Sequence, residues 1–241
     1  MHSVGQIFAT ILAISATLVS AKPRHDDSIT FGPTIYASGK QDIIKFVTTT
    51  YPGAIPSNQK GNGLFLWPGL TNSTGDLIQS VVGSYPPGAS ECSGANVNTE
   101  WCISSEVYGL DASGNTNQFV GQLTTLDATP SNGLKITYTL TDPSAYTWTQ
   151  VVTDAVTGKE MATYTKNSGP MTIFEASVEC QDCSPTIADQ TYVNTTITFA
   201  EADKTWSSVP EAESGATFTT PTTSDGGVTW TIAKITFPAE S

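Results

Sequence analysis

The sequence of 241 residues contains very little histidine and arginine. Its two histidines are His2 and His25, and its single arginine is Arg24, so all three precede the body of the chain. Catalysis by a Ser-His-Asp or Cys-His arrangement and a histidine-ligated zinc are therefore excluded from that body. Without arginine, the body also lacks the side chain that binds phosphate or carboxylate through two parallel hydrogen bonds.

Positive charge is scarce overall. Ten Lys and Arg stand against 22 Asp and Glu, which gives a formal net charge of -12. Nucleic acids and polyuronates carry negative charge of their own and would be repelled. We therefore expect no nucleic-acid partner. We also expect chemistry that uses carboxylates, amides, hydroxyls or tyrosines, with no metal and no cofactor.

Long apolar runs are missing, except for residues 7–19 near the N-terminus. This run is shorter than the ~20 residues that a membrane-spanning helix needs. It is followed by small residues ending at Ala21, which fits the cleavage rule of secretory signal peptides. We predict a signal peptide over residues 1–21, an N-terminal tail over 22–39 and a single domain over 40–241. A secreted, extracellular protein without a membrane partner follows from this.

Export predicts disulfide bonds. Four cysteines allow three pairings, and we favour the two bridges that each close a short local loop: Cys92–Cys102 and Cys180–Cys183. Two sequons, which begin at Asn72 and Asn194, predict glycosylation of a secreted chain.

No segment shows a sustained helical period. Instead, short stretches of alternating apolar and polar residues are separated by turn signals, and Thr is abundant. Strands are predicted at residues 43–50, 63–67, 77–82, 100–108, 119–126, 135–141, 147–154, 160–165, 171–179, 192–199 and 228–237. The polar stretch 201–223 is predicted to be surface loop. This pattern predicts an all-β protein, an antiparallel sandwich of two sheets, and we expect a monomer.

One predicted strand is unusual because it carries two carboxylates on one face. Its alternation gives an apolar and a polar set: Phe174, Ala176 and Val178 against Glu175, Ser177 and Glu179. Two exposed acids on a solvated strand are ordinary when taken alone. A functional interpretation needs a partner elsewhere in the chain.

Gln79 is the candidate partner, because it interrupts the apolar strand Leu77-Ile78-Gln79-Ser80-Val81. A buried amide costs free energy unless it is hydrogen-bonded. Gln79 is therefore a core glutamine satisfied by a neighbouring loop, a residue of a solvated face, or a functional group.

Several motifs occur in an order that resembles a known family. Trp67-Pro68-Gly69-Leu70 and the strand around Gln79 resemble the W-x-G-[IL] … [IL]-L-Q-[ST]-G-V region of the eqolisins, the fungal glutamic peptidases. Residues 174–179 resemble their A-E-W-I-V-E motif, although Ala176 stands where the family has Trp. Residues 132–165 resemble their central hairpins.

The resemblance implies a concanavalin-like, jelly-roll sandwich with an active site on a concave sheet. It also implies a secreted, acid-acting endopeptidase in which Gln79 and Glu175 form the catalytic dyad, with Glu179 and Trp67 in support. The chemistry is coherent, because a carboxylate can take a proton from water and an amide N–H can stabilise an oxyanion. The partner would then be a polypeptide substrate.

The alternative is a non-catalytic or glycan-binding concanavalin-like module, because Tyr, Trp and carboxylates on a sheet also hold neutral glycans. A glycosidase would need two carboxyl groups about 5–10 Å apart. Glu175 and Glu179 on one strand are ~13 Å apart at the backbone. We therefore rank the peptidase first.

Overall fold

A computed structural model describes residues 29–56, 61–87, 92, 99–127, 130–183 and 187–239. In these residues the chain forms two antiparallel β-sheets that pack face to face. The predicted all-β sandwich is thereby confirmed. The signal peptide predicted over residues 1–21 lies outside the described residues. No described helix is long and apolar enough to cross a membrane.

The first sheet is built from eight of the described strands, numbered here in chain order. They are β1 (Ile29–Ser38), β3 (Gly63–Thr71), β4 (Leu77–Ser84), β5 (Glu100–Leu110), β6 (Thr116–Val120), β7 (Thr124–Asp127), β11 (Ile173–Gln181) and β13 (Glu211–Glu213). Their order across the sheet is β13-β1-β11-β3-β4-β5-β6, and β7 also pairs with β5. The hairpin of β3 and β4 therefore lies beside a strand that comes a hundred residues later.

The second sheet contains the other seven described strands. They are β2 (Ile43–Tyr51), β8 (Leu134–Asp142), β9 (Thr147–Asp154), β10 (Glu160–Asn167), β12 (Gln190–Phe199), β14 (Thr217–Phe218) and β15 (Thr229–Phe237). Their order is β10-β9-β8-β2-β12-β15-β14.

The main core lies between the two sheets. Phe174 on β11 is stacked on Phe46 of β2 with ring centroids 5.4 Å apart, and Phe46 is stacked in turn on Tyr138 of β8 at 5.1 Å. Ala176 and Val178 are also buried in this core. The alternation predicted for the acidic strand is therefore confirmed, since its apolar face points towards the second sheet and its polar face points away.

Strand β1 differs from the sequence prediction, which assigned residues 22–39 to a tail outside the domain. Residues 29–38 pair with β11 on one side and β13 on the other, and Ile35 and Ala37 are fully buried in the core. The alternation was hidden because the register of β1 shifts between Phe31 and Thr34. This shift, a β-bulge or irregularity, breaks the period of two.

Strand β3 also differs, because it was predicted to end before Pro68 but continues to Thr71. Its pairing with β11 runs without interruption. On the β4 side, Leu66 pairs with Val82 and Gly69 pairs with Gln79 in the same register, but the ladder is interrupted at the two positions between them. Proline has no N–H to donate, so it is accommodated where one ladder is interrupted. The Pro68 carbonyl is not lost, since it accepts a hydrogen bond from the Tyr138 hydroxyl at 2.8 Å.

Residues 201–223 were predicted to be surface loop, but they hold an anchor of the core. A short 3₁₀ turn, Trp206–Ser208, buries the Trp206 side chain completely. Its ring lies 6.0 Å from that of Phe199 and 6.2 Å from that of Trp230. The surrounding Ser, Thr and Pro residues concealed one large apolar side chain.

Candidate active site on the outer face of the first sheet

The outer face of the first sheet is defined here as the face directed away from the second sheet. One cross-strand row on this face carries both predicted dyad residues. Glu175 on β11 pairs with Gly69 on β3, and Gly69 pairs with Gln79 on β4. Paired residues of antiparallel strands project to the same side. Glu175 and Gln79 therefore share the outer face, on strands about 10 Å apart at the backbone.

Gly69 separates the two strands without adding a side chain between Glu175 and Gln79. A Cβ at this position would lie 2.7 Å from Leu77 Cδ1, 2.9 Å from the Ile78 carbonyl oxygen and 3.5 Å from Gln79 Cβ. The first two distances are shorter than 3.0 Å, which Cβ atoms in real proteins essentially never show. Only glycine fits here without displacing β4.

Glu175 is buried although it lies on the outer face, with 9% of its surface exposed. Burial, followed by the negative charges of Glu179 and Glu213, raises its pKa to about 7. On its other side the row continues to Tyr36 of β1, whose hydroxyl donates to Glu211 at 2.6 Å. Glu175 is thus a carboxyl group that holds its proton up to neutral pH.

The row extends beyond Gln79 to Glu106 on β5, a residue that the sequence reasoning missed. Glu106 accepts hydrogen bonds from the Ser104 hydroxyl and from Gln118 Nε2, the latter at 2.6 Å. Gln79 lies opposite Glu106 in the ladder between β4 and β5, and it also lowers the pKa of Glu106. Burial raises the pKa of Glu106 to about 7 against the lowering effect of these donors. The available signal was a single carboxylate in the otherwise uncharged segment 101–110.

Gln79 is buried with an unsatisfied acceptor. Its side chain is 9% exposed, and its neighbour in the row is Glu106. Its Oε1 atom is buried, and no group among the described residues donates a hydrogen bond to it. An unsatisfied buried acceptor costs free energy, so this atom is suited to receive a hydrogen bond from a water or a ligand.

The two predicted supporting residues are in direct contact. Trp67 Nε1 donates to Glu179 Oε2 at 3.1 Å, and Gln181 Nε2 donates to Glu179 Oε1 at 2.7 Å. Burial raises the pKa of Glu179, and these two hydrogen bonds lower it. Trp67 belongs to a small apolar cluster of the outer face that also contains Leu77 and Val81 and is separate from the main core.

The disulfide bonds are Cys92–Cys102 and Cys180–Cys183, the pairing that was favoured from the sequence. The second bond closes at the end of β11, directly after Glu179. Among the described residues, no group of three or more His, Cys, Asp or Glu side chains is arranged to hold a metal ion.

The two sequon asparagines differ in their surroundings. Asn72 lies in the turn between β3 and β4, where its Nδ2 donates to Asp76 Oδ2 at 3.1 Å and to the Pro170 carbonyl at 3.0 Å. Asn194 is exposed at a register shift of β12, with a φ of 53°. Glycosylation at both residues stays a prediction.

Searches for relatives by sequence found no protein-family model and no curated protein that matches the chain. By structure, it is similar to the crystal structure of scytalido-glutamic peptidase with a peptide-based transition-state analogue. The TM-score is 0.50 at 13% identity, over 86% of this chain and 98% of that chain. The chain has the fold of a glutamic peptidase.

This glutamic-peptidase fold agrees with the eqolisin-like, concanavalin-like sandwich expected from the motifs, and the low identity makes the chain a divergent example. SCP-B, a member of the eqolisin family in complex with the tripeptide Ala-Ile-His, matches with a TM-score of 0.44 at 12% identity, over 86% of this chain and 98% of that chain. The Crh5 transglycosylase in complex with NAG matches with a TM-score of 0.35 at 10% identity, over 87% and 72%. Identities this low concern the fold alone.

Proposed function

We propose that this protein is a secreted endopeptidase of the glutamic type, in which Gln79 and Glu175 hydrolyse peptide bonds of a polypeptide substrate. One observation carries the proposal. The amide and the carboxyl group lie in one row of the outer face, with Gly69 between them and both side chains about nine-tenths buried. Neither group needs histidine, and both histidines precede the described domain.

The roles follow from the hydrogen-bonding capacity of each group. Ionised Glu175 takes a proton from a water molecule as the water attacks the substrate carbonyl. Gln79 Oε1 accepts a hydrogen bond from the other O–H of that water and so helps to position it. A Gln79 N–H that is not used by Glu106 donates to the developing oxyanion. Protonated Glu175 then gives its proton to the leaving amine.

Glu106 is proposed as a positioning residue. It lies opposite Gln79 in the row and is itself fixed by Ser104 and Gln118. In the proposed site Gln79 Nε2 donates to Glu106, which leaves Oε1 for the water and gives the amide one orientation rather than two.

The pKa of Glu175 bears on the working pH. The sequence led to the expectation of an acid-acting enzyme. A general base with a pKa of about 7 is ionised in a fraction that falls tenfold for each pH unit below that value. If Glu175 acts as the base, kcat/KM should rise through the acid range and level off near pH 7. An optimum far below this would assign the first step to the protonated carboxyl group instead.

The proposal is tested by digestion of an unfolded protein substrate from acid to neutral pH. Gln79→Ala should lower the rate by ~100- to 1,000-fold, as the loss of one oxyanion donor does. Glu175→Gln should lower it further, because it removes the base. Glu160→Gln, which changes an exposed carboxylate on the second sheet, is the matched control and should cleave at the wild-type rate. Cleavage that survives Glu175→Gln would refute the dyad.

A neutral glycan is the second candidate for the outer face, as a ligand of a non-catalytic module. Sugars stack on the faces of exposed aromatic rings, and Phe31 on this face is 39% exposed, whereas Trp67 is only 1% exposed. Phe31 is therefore the ring that a glycan would use. Absence of cleavage by the wild type at every pH, together with saturable retention on a glycan column, would place the glycan-binding module before the peptidase.

An extracellular location is part of the proposal, and the two disulfide bonds support it, because such bonds persist in oxidising compartments. Glycosylation at Asn72 and Asn194 and a monomeric state belong to the same proposal. The absence of a nucleic-acid partner rests on the net charge of -12.

A further inference from the structure

A third carboxylate of the outer face lies apart from the row that carries Glu175 and Glu106. Glu179 is partly exposed and lies four residues along β11 from Glu175, about 13 Å away at the backbone. Phe31 of β1 and Phe65 of β3 pair with it on either side. The row thus presents a carboxylate between two aromatic side chains.

The Glu179 carboxylate is fixed in position, and the hydrogen bonds that it accepts from described residues do not fill its acceptor sites. It accepts one hydrogen bond on each oxygen, from Trp67 and from Gln181, and both donors are uncharged. A carboxylate has about four acceptor sites. The remaining sites can bind a cation, and the fixed orientation reduces the entropy that such binding costs.

The two aromatic side chains differ in position. A Cβ on Gly63 would lie 2.4 Å from the Phe65 ring, and a Cβ on Gly83 would lie 3.2 Å from it, so this ring lies over the two glycines, on the side of β3 that faces β4. The Phe65 and Tyr85 rings form a T-shaped pair with a centroid distance of 5.2 Å. Phe31 pairs with Glu179 on the other side and is 39% exposed, so its ring is available to a ligand. An aromatic ring next to a carboxylate favours a cation.

None of the described lysines belongs to a strand of this sheet, and the one that reaches it, Lys166, contacts the ring of Phe119 at 3.8 Å, next to the core residue Val107 rather than on the outer face. The described lysines lie in strands of the second sheet or in connecting segments: Lys40, Lys45, Lys135, Lys159, Lys166, Lys204 and Lys234. The outer face carries Glu106, Glu175 and Glu179, so its charge is uncompensated by these residues. A positively charged partner is the complementary one.

We propose that Glu179, with Phe31 and Phe65, forms a subsite for the side chain of a lysine or arginine in the substrate. This inference rests on the proposed function and adds a substrate class, basic polypeptides. The distance of about 13 Å between Glu179 and Glu175 equals about four residues of an extended peptide. The basic residue therefore lies a few positions from the bond that is cleaved.

The test measures binding, which does not require cleavage. Glu175→Gln serves as the parent protein, and the probes are eight-residue peptides in which a single lysine is moved along the sequence. Each peptide has a norleucine counterpart of the same length and without charge. At pH 7 we expect the peptide with lysine at one particular position to bind about 3- to 10-fold more tightly than the norleucine peptide of the same design. Adding Glu179→Gln should abolish this difference, and adding the control Glu160→Gln should preserve it.

Equal affinity for every lysine and norleucine pair would overturn the subsite, as would a lysine preference that survives Glu179→Gln. A melting curve of each variant shows whether it is folded. Trp67→Phe is the second variant. It keeps the Glu179 charge and removes one of the two hydrogen-bond donors that fix the carboxylate. The preference for lysine over norleucine should therefore weaken without disappearing. If the wild type cleaves nothing but the preference depends on Glu179, the subsite stands and the peptidase proposal fails.

Discussion

Raising the pH from about 4.5 to 8 should destabilise the folded protein. Glu106 and Glu175 have pKa values of about 7 in the folded state, against 4.5 as the ordinary value. Between these values the unfolded chain has released both protons, while the folded chain still holds them. The folded state binds more protons, so its stability is fully present below pH 4.5 and is lost as the pH rises to 7.

The expected magnitude follows from the size of the shifts. One pKa unit corresponds to about 1.4 kcal/mol, so each of the two carboxyl groups contributes a loss on the order of 3 kcal/mol across this window. Below pH 4.5 the effect of pH on stability has the opposite sign. Backbone N–H groups, that of Thr157 foremost, lower the pKa of Asp154 to about 2, and this stabilisation is lost as the pH falls towards that value. Stability should therefore be highest near pH 4 to 5.

Urea unfolding followed by tryptophan fluorescence at pH 4.5, 6, 7 and 8 measures the effect. Glu175→Gln and Glu106→Gln remove one titrating group each, so each should flatten the pH dependence by about half. Glu160→Gln should leave the wild-type slope unchanged. A wild-type stability that is constant or rises from pH 5 to 8 would refute the reasoning, as would a slope that neither variant changes.

Two further predictions concern single side chains. Gly69→Ala should abolish cleavage and cost about 1–3 kcal/mol, because its Cβ would meet the Ile78 carbonyl at 2.9 Å and force β3 and β4 apart; full activity in a peptide digest would show that the spacing of the dyad is not critical. Phe174→Ala should cost about 3–5 kcal/mol in urea unfolding, because it leaves a cavity against Phe46. An unchanged midpoint would mean that the ring does not face the second sheet.

The sequence was sufficient to predict the faces of single strands. Phe174 and Glu175 were assigned to opposite sides because neighbouring side chains of a strand alternate, a local property that survives any tertiary arrangement. Gln79 was identified because its amide interrupts an apolar strand and because that strand resembles an eqolisin motif. Strand β1 was missed for a local reason as well, because its register shift between Phe31 and Thr34 breaks the alternation.

What the sequence did not reveal is which strands become neighbours. Glu175, Gly69, Gln79 and Glu106 come from four strands that are joined by loops of different length. Their common row depends on β11 pairing beside β3, a contact between residues about a hundred positions apart. Alternation within one strand carries no information about such pairing, so the part of Gly69 as a spacer and the position of Glu106 opposite Gln79 emerged only from the assembled sheet.

The pairing of β1 with β11 also bears on where this protein can be shortened. β11 carries Glu175 and Glu179, and β1 covers its hydrogen-bonding edge opposite β3. A recombinant version that starts at residue 40 would leave that edge with unpaired N–H and C=O groups, a template on which other chains can add strands. It would also take Ile35 and Ala37 out of the core. A productive N-terminal boundary for expression therefore lies before residue 29.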